Sequence, residues 1–204
     1  MKKVVIFIFI FQIMLVSKIL AQDADDSTTE VYFKKSQTEA GFVFTMAELG
    51  SGFGAFYDFP FGSFFHLGAS IDAFFIRDSK QVELVDYYGN AYSLNDFNDV
   101  YLFDAMITLK RRFFANDVHD SVRPFLSAGI GPVFGMNFPN IPGYKDQYAW
   151  SFGGFFGGGM DITIDANYFI SARAQYRVVP FSETIGETSN HSMFELRFEV
   201  GRRF

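Results

Sequence analysis

The sequence predicts an all-β fold: a single closed, antiparallel, up-and-down β-barrel that spans a membrane, with eight strands expected. Three observations predict it. Apolar and polar residues alternate from about Val31 to the last residue. Successive side chains on a strand point to opposite faces, so a period of two means one greasy and one wet face. The links between these segments alternate short and long. Aromatics gather at segment ends, in a chain with 29 Phe and 18 Gly. Phe and Gly together favour strands and tight turns over long helices.

The chain divides into three parts. Residues 1–21 read as a signal peptide: Lys2 and Lys3, an apolar run from Val4 to Val16 broken only by Gln12, then Ser17 to Ala21 before a cut at Gln22. That run is about 13 residues, short of the ~20 a spanning helix needs, which argues against an uncleaved anchor. Residues 22–37 form an acidic segment opening with QDADDSTTE, solvated at its start and able to include part of the first strand. Residues 38–204 form the barrel. Removing residues 1–21 takes three of the 17 bases and none of the 23 acids, leaving a net charge of −9. Nucleic acid, itself polyanionic, is a poor match for that charge. The chain has no Cys, which excludes disulfides, a lipid-anchoring cysteine, thiolate metal sites and a cysteine nucleophile.

The elements follow in order. Between Val31 and Asp58 two strands are expected, with the break at either Ser36–Glu39 or Gly50–Gly52. A short link spans Asp58–Gly62. In the next strand Phe65, Leu67, Ala69, Ile71, Ala73 and Phe75 alternate with His66, Gly68, Ser70, Asp72 and Phe74. A long link, Asp78–Asn98, leads to a strand in which Tyr101, Phe103, Ala105, Ile107 and Leu109 alternate with Asp104, Met106, Thr108 and Lys110. A short link at Asn116–Ser121 precedes Arg123–Phe134, a weaker strand with apolar residues on both faces. The long link Asn137–Gln147 precedes a strand with Trp150, Phe152, Phe156, Met160 and Ile162 on one face. After the short link Asp165–Asn167 comes the clearest strand, Tyr168–Val179. Ile170, Ala172, Ala174, Tyr176 and Val178 lie on one face, and Ser171, Arg173, Gln175 and Arg177 on the other. The long link Phe181–Asn190 precedes the final strand, where Leu196, Phe198, Val200 and Phe204 oppose Glu195, Arg197, Glu199 and Arg203. These strands run about 10 to 16 residues, enough for the ~9–11 of a tilted spanning strand.

Alternation does not say which face is inside. A soluble ligand-binding barrel turns its apolar face inward, and a membrane barrel inverts that. Aromatics at strand ends favour inversion, as an interfacial girdle: Tyr101, Phe113, Phe114, Trp150, Tyr168, Phe169, Phe181 and Phe204. The segment MFELRFEVGRRF resembles the terminal strand of bacterial outer-membrane barrels. Phe198, Val200 and Phe204 stand at its apolar positions, while Arg202 departs from the pattern. RPFLSAGIGPVFG, Arg123 to Gly135, resembles the fifth-strand signature of the small porin-like outer-membrane barrel superfamily, the eight-stranded barrels of the OmpX/OmpA type. ISARAQYRVV, Ile170 to Val179, resembles that superfamily's seventh strand. The resemblance covers about Ala40 to Phe204. It implies a place in the bacterial outer membrane, contact with its lipid, periplasmic N- and C-termini, and recognition by the barrel-assembly machinery through Phe198, Val200 and Phe204. It implies no activity, since members include adhesion, structural, enzymatic and uncharacterised proteins.

With apolar faces toward lipid, the lumen receives Asp72, Asp104, Asp161, Glu195 and Glu199 together with Lys110, Arg123, Arg173, Arg177, Arg197 and Arg203. An eight-stranded barrel is just wide enough for side chains to fill. Buried charges cost several kcal/mol unless paired, so these residues are expected to form a plug of ion pairs rather than line a channel. Chemistry beyond this is sparse. His66, His119 and His191 lack the spacing of a metal site. His66 reads as an inward, hydrogen-bonded strand residue. His191, Ser192 and Glu195 suggest a hydrolase, but Ser192 points away from the face the other two share. The Gly129–Gly131 and Gly157–Gly159 runs are not followed by a helix, so they read as close packing against Phe rings and not as phosphate loops. Glu83, Asp86, Asp96 and Asp99 offer carboxylates to a divalent cation, but read more readily as solvated loop acids. Tyr87, Tyr88, Tyr92, Tyr144 and Tyr148 are candidate loop contacts. The expected function is non-enzymatic, with no cofactor, no metal, and binding or envelope structure carried by the outer loops. The alternatives are an outer-membrane lipid-modifying enzyme and a soluble secreted ligand-binding barrel.

Overall fold

The computed structural model describes residues 37–62, 64–76, 82–88, 91–94, 98–113, 122–139, 144–164 and 167–204, with backbone alone for 82–85 and 91–94. The signal-peptide reading of residues 1–21, His119 and the link at 116–121 lie outside these. The described strands are β1 (Glu39–Ala47), β2 (Gly50–Phe61), β3 (Phe65–Ile76), β4 (Val82–Val85), β5 (Ala91–Leu94), β6 (Asn98–Arg112), β7 (Val122–Pro139), β8 (Gln147–Thr163), β9 (Tyr168–Val178), β10 (Pro180–Ile185), β11 (Thr188–Asn190) and β12 (Met193–Arg203).

Eight of them close a barrel. The ring runs β1-β2-β3-β6-β7-β8-β9-β12, all antiparallel. It closes where β12 pairs β1, from Glu39↔Arg203 to Ala47↔Glu195. Each strand pairs the next barrel strand along the chain, which makes the barrel up-and-down. Closure gives every barrel strand a hydrogen-bonded neighbour on both sides, as hydrocarbon requires, where no water can substitute. Both ends of the chain's barrel segment fall on one rim, here the terminal rim, because β1 starts where β12 stops.

The alternation becomes a sorting of side chains. In β9, Phe169, Ser171, Arg173, Gln175 and Arg177 are buried, while Tyr168, Ile170, Ala174, Tyr176 and Val178 are exposed. Outside, Phe42 is 78% exposed, Ile71 64%, Ile107 64% and Phe156 64%, whereas inside Arg177 and Arg197 are 1% exposed and Glu195 0%. A continuous apolar outer surface of this size is unstable in water and stable against lipid tails. The soluble-barrel alternative, which needs the opposite sorting, is excluded by it.

Several links expected in the sequence are strand. Asp58–Phe61 continues β2, and the turn to β3 comes at Gly62, with φ +79°, a left-handed backbone that glycine adopts without penalty. β2 persists because Phe56 and Asp58 keep the inward parity and Tyr57 and Phe59 the outward one. The break between β1 and β2 is the two-residue turn Glu48–Leu49, next to Gly50. Ser36–Glu39 is not that break, since Glu39 opens β1. Phe181–Asn190 is an arm, β10 and β11, paired at Pro180↔Asn190 and Ile185↔Thr188 and turned at Gly186 with φ +63°. Part of 78–98 forms a separate hairpin, β4–β5. Strands thus extend past the barrel wall into segments whose turn-like composition reads as loop.

The interior holds two apolar clusters. The larger lies toward the opposite rim: Phe74, Ile76, Val100, Leu102, Met106, Val133, Phe155, Val179, Phe181, Ile185 and Met193. Val43, Phe56 and Phe169 form the smaller. Phe169 and Phe181, expected in the outer girdle, are therefore inside, at 0% and 6% exposure. Phe169 shares the parity of Ser171 and Arg173, and the girdle position next to it is Tyr168. Phe181 belongs to the arm, which crosses the mouth.

Candidate functional site

The site is the lumen itself, because alternation delivers the inward side chains of eight strands to one narrow space. Among the described residues it buries seven acids (Glu39, Asp58, Asp72, Asp104, Asp161, Glu195 and Glu199) and six bases (Lys110, Arg112, Arg173, Arg177, Arg197 and Arg203). Most of them meet in three groups, the second and third joined where Arg177 lies 4.0 Å from Asp72.

Nearest the terminal rim, Arg112 is the hub. Its Nη2 donates to Glu39 at 2.6 and 2.7 Å and to Asp161 at 2.6 Å, and its Nε donates to Asp161 at 2.8 Å. Arg112 Nη1 lies 3.1 Å from His66 Nε2. Lys110 donates to Asp161 at 2.9 Å, and Arg203 donates to Glu39 at 2.8 Å and to Thr163 at 2.9 Å. In the middle, Arg173 donates to Glu199 at 3.0 Å and to Ser127 at 2.9 Å. Arg197 bridges Glu199 at 2.9 Å and Asp72 at 2.8 Å, so it joins β12 to β3 across the lumen. Beneath the larger apolar cluster, Arg177 donates to Glu195 and to Asp104, and Gln175 donates to Glu195. Asp58 accepts from Thr108 Oγ1 at 3.4 Å.

Aromatic rings complete the packing. Lys110 sits 4.3 Å over Phe125, Arg177 4.5 Å over Phe74, Arg203 4.8 Å over Phe169 and Arg173 4.9 Å over Phe155. A cation over a ring face gains electrostatic attraction while the ring excludes water. The glycines make room. A Cβ on Gly129 would strike the Phe155 ring, while one on Gly159 would meet the Ala172 carbonyl ahead of the Phe125 ring at 2.9 Å. Gly131 and Gly157 instead face backbone carbonyls of Ala105 and Ala174, and Gly158 faces outward against Leu126. Packing against Phe is therefore the reason for only part of the two glycine runs.

Of the lumen residues expected from sequence, Asp72, Asp104, Lys110, Asp161, Arg173, Arg177, Glu195, Arg197, Glu199 and Arg203 lie buried inside in the contacts just described. Arg123 stands at the strand start, half-buried, opposite Asp161. Phe198, Val200 and Phe204 face outward at 41%, 58% and 63% exposure. Sequence reasoning missed Glu39, Asp58 and Arg112. Each continues an inward parity, Arg112 two residues beyond Lys110 and Asp58 two beyond Phe56, but each sits where composition suggests a turn or tail.

The remaining candidates do not assemble. His191 Nε2 lies 3.1 Å from the Ile185 carbonyl, Ser192 Oγ donates to Asn190 Oδ1 at 2.6 Å, and Glu195 is held by Arg177 and Gln175. These three side chains thus do not form a nucleophile–base–acid unit. No group of three or more His, Cys, Asp or Glu that could hold a metal occurs among the described residues. Asp86 accepts from the Tyr88 amide at 2.8 Å, a local turn bond, and Asp99 is half-buried. Asp96 and the side chains of Glu83 and Tyr92 lie outside the described residues. Tyr87, Tyr88 and Tyr144 are exposed at 98%, 86% and 69%. Tyr148 belongs instead to an outward aromatic belt. The belt runs Phe53–Phe75–Tyr101–Phe138–Tyr148–Phe134–Trp150, with successive ring centroids 4.7 to 6.4 Å apart.

No protein-family model matches the chain, and no curated protein matches it in sequence. Solved structures do match in fold. The N-terminal β-barrel domain of Pseudomonas aeruginosa OprF superposes with a TM-score of 0.54 at 14% identity, covering 82% of this chain and 97% of that one. Neisserial surface protein A, NspA, gives a TM-score of 0.54 at 15% identity, covering 82% and 96%. The chain therefore has the fold of small eight-stranded outer-membrane barrels.

Proposed function

We propose that this eight-stranded outer-membrane barrel is a non-enzymatic envelope protein with a sealed lumen, whose loops at the opposite rim carry any specific binding. The observation that supports this reading most is the filled interior. Among the described residues six bases and seven acids are buried in the barrel, and an apolar cluster including Phe74, Leu102, Phe155 and Ile185 covers the network from the opposite side. A barrel of this strand number leaves no aqueous channel once side chains occupy it.

The Gly62 turn lies on the terminal rim, and the arm, the β4–β5 hairpin and the two-residue Glu48–Leu49 turn lie on the other. Outer-membrane barrels carry their longer loops on the outer side, and the arm and the hairpin lie on the rim away from the termini, which supports periplasmic N- and C-termini. Residues 1–21 then serve as the signal peptide, 22–37 as an acidic leader to the barrel, and 38–204 as the barrel. β12, with Phe198, Val200 and Phe204 outward, is the element the barrel-assembly machinery reads.

Single-channel recording of the purified protein in planar bilayers tests the sealed lumen. Brief, small events or none are expected, and a steady large conductance overturns the reading. Lipid A from cells with and without the gene tests the absence of enzymatic activity. Identical profiles are expected, and a missing or extra acyl chain or headgroup overturns it.

A further inference from the structure

Among the described residues two arginines face lipid rather than the lumen, outside the ion-pair network. On the eight barrel strands, among the described residues, the outward positions carry three charges: Arg111 and Arg202 beside the terminal rim, and Asp99 at the opposite one. Arg111 is the penultimate residue of β6 and Arg202 the penultimate residue of β12, on opposite sides of the ring. Each guanidinium is set between two aromatic rings. Arg111 lies 5.4 Å from Phe65 and 5.3 Å from Phe113, and Arg202 5.9 Å from Tyr168 and 5.3 Å from Phe204. Neither pairs with a carboxylate among the described residues.

A charge on the lipid face is costly at mid-bilayer and falls to almost nothing near the interface, where the alkyl stem stays in the apolar layer and the head reaches headgroups. A guanidinium there presents a planar fork of donors that matches phosphate in two-point contact. Flanking rings fix its direction and shield its stem. Among the described strand residues no outward acid stands at this rim to neutralise either guanidinium, so each favours a headgroup of net negative charge. We infer that Arg111 and Arg202 each bind the phosphate of an anionic phospholipid in the leaflet at the terminal rim. That the leaflet is the periplasmic one rests on the orientation proposed above; phosphate binding does not. The same inference accounts for Arg202, the residue that departs from the expected terminal-strand pattern.

The test is native mass spectrometry of the folded, full-length mature barrel titrated with phosphatidylglycerol or phosphatidylcholine. Retention of phosphatidylglycerol over phosphatidylcholine is expected at about fivefold per arginine. Arg111→Gln and Arg202→Gln should each lose one retained phosphatidylglycerol, and the Lys versions, which keep the charge without the fork, should keep it more weakly. Equal retention of the two lipids by the unaltered protein, or an undiminished preference in the double Gln variant, overturns the inference. Heat-shifted gel mobility verifies folding of each variant, and the Lys pair decides if a Gln variant fails to fold. A reversed orientation found by surface labelling would move the site to the other leaflet and leave the phosphate result standing.

Discussion

At the scale of single residues, position relative to the barrel wall decides the consequence of a charge. Arg177 touches Asp104 and Glu195 inside, and Arg111 lies outside between two rings. Removing one partner of a buried ion pair leaves an uncompensated charge and costs about 3–5 kcal/mol. Arg177→Met should therefore destabilise the folded barrel by that amount, read as a lower urea midpoint of the gel-mobility shift, while Arg111→Gln changes it by less than about 1 kcal/mol. An equal effect from both would contradict the network. Gly129→Ala should cost about 1–3 kcal/mol on the same assay, because its Cβ overlaps the Phe155 ring. His191 adds a pH effect. Burial holds its imidazole below the ordinary 6.5, against weaker opposition from the Ile185 and Thr188 carbonyls. Being neutral, the packed arm is fully stable above that value. Its stability falls as pH drops below it, because an opened arm takes up the proton that the closed arm rejects. Amide exchange in Ile185–His191 should thus speed up between pH 7 and 5 beyond the intrinsic chemical trend.

At the scale of elements, parity was legible and ends were not. Alternation in Phe65–Phe75, Tyr101–Lys110 and Tyr168–Val179 assigns each side chain the face it occupies in β3, β6 and β9. A one-residue slip would turn every charge to lipid, so the pattern is under strong physical constraint. Strand ends carry no such constraint. Asp58, Pro60 and the stretch from Phe181 to Asn190 have turn-like composition, yet pairing with β3, β8 and β11 carries them as strand. The three missed lumen residues, Glu39, Asp58 and Arg112, all lie in such ends. The apolar cap was illegible for another reason. It draws inward residues from many strands, and no local pattern announces that Phe74, Leu102 and Ile185 will meet. Replacing Ile185, 0% exposed, with Asp should detach the arm, and limited proteolysis in Phe181–Asn190 should then cut where the unaltered protein resists.

At the scale of the whole molecule, orientation in the membrane and the sorting of faces are separate claims with separate tests. The chain has no Cys, so single introduced cysteines report cleanly. Tyr144→Cys should react with an impermeant maleimide on intact cells, and Gly62→Cys only after the outer membrane is permeabilised; the reverse would invert the barrel. The sorting of faces underlies everything else, including the network, the sealed lumen and the lipid-facing arginines. It is tested most directly by spin labels placed one at a time from Ile170 to Arg177 in liposomes. Oxygen should relax labels at 170, 172, 174 and 176 strongly and those at 171, 173, 175 and 177 weakly. Labels at 170, 172, 174 and 176 shielded from oxygen, with those at 173 and 177 open to a water-soluble relaxant, would contradict it.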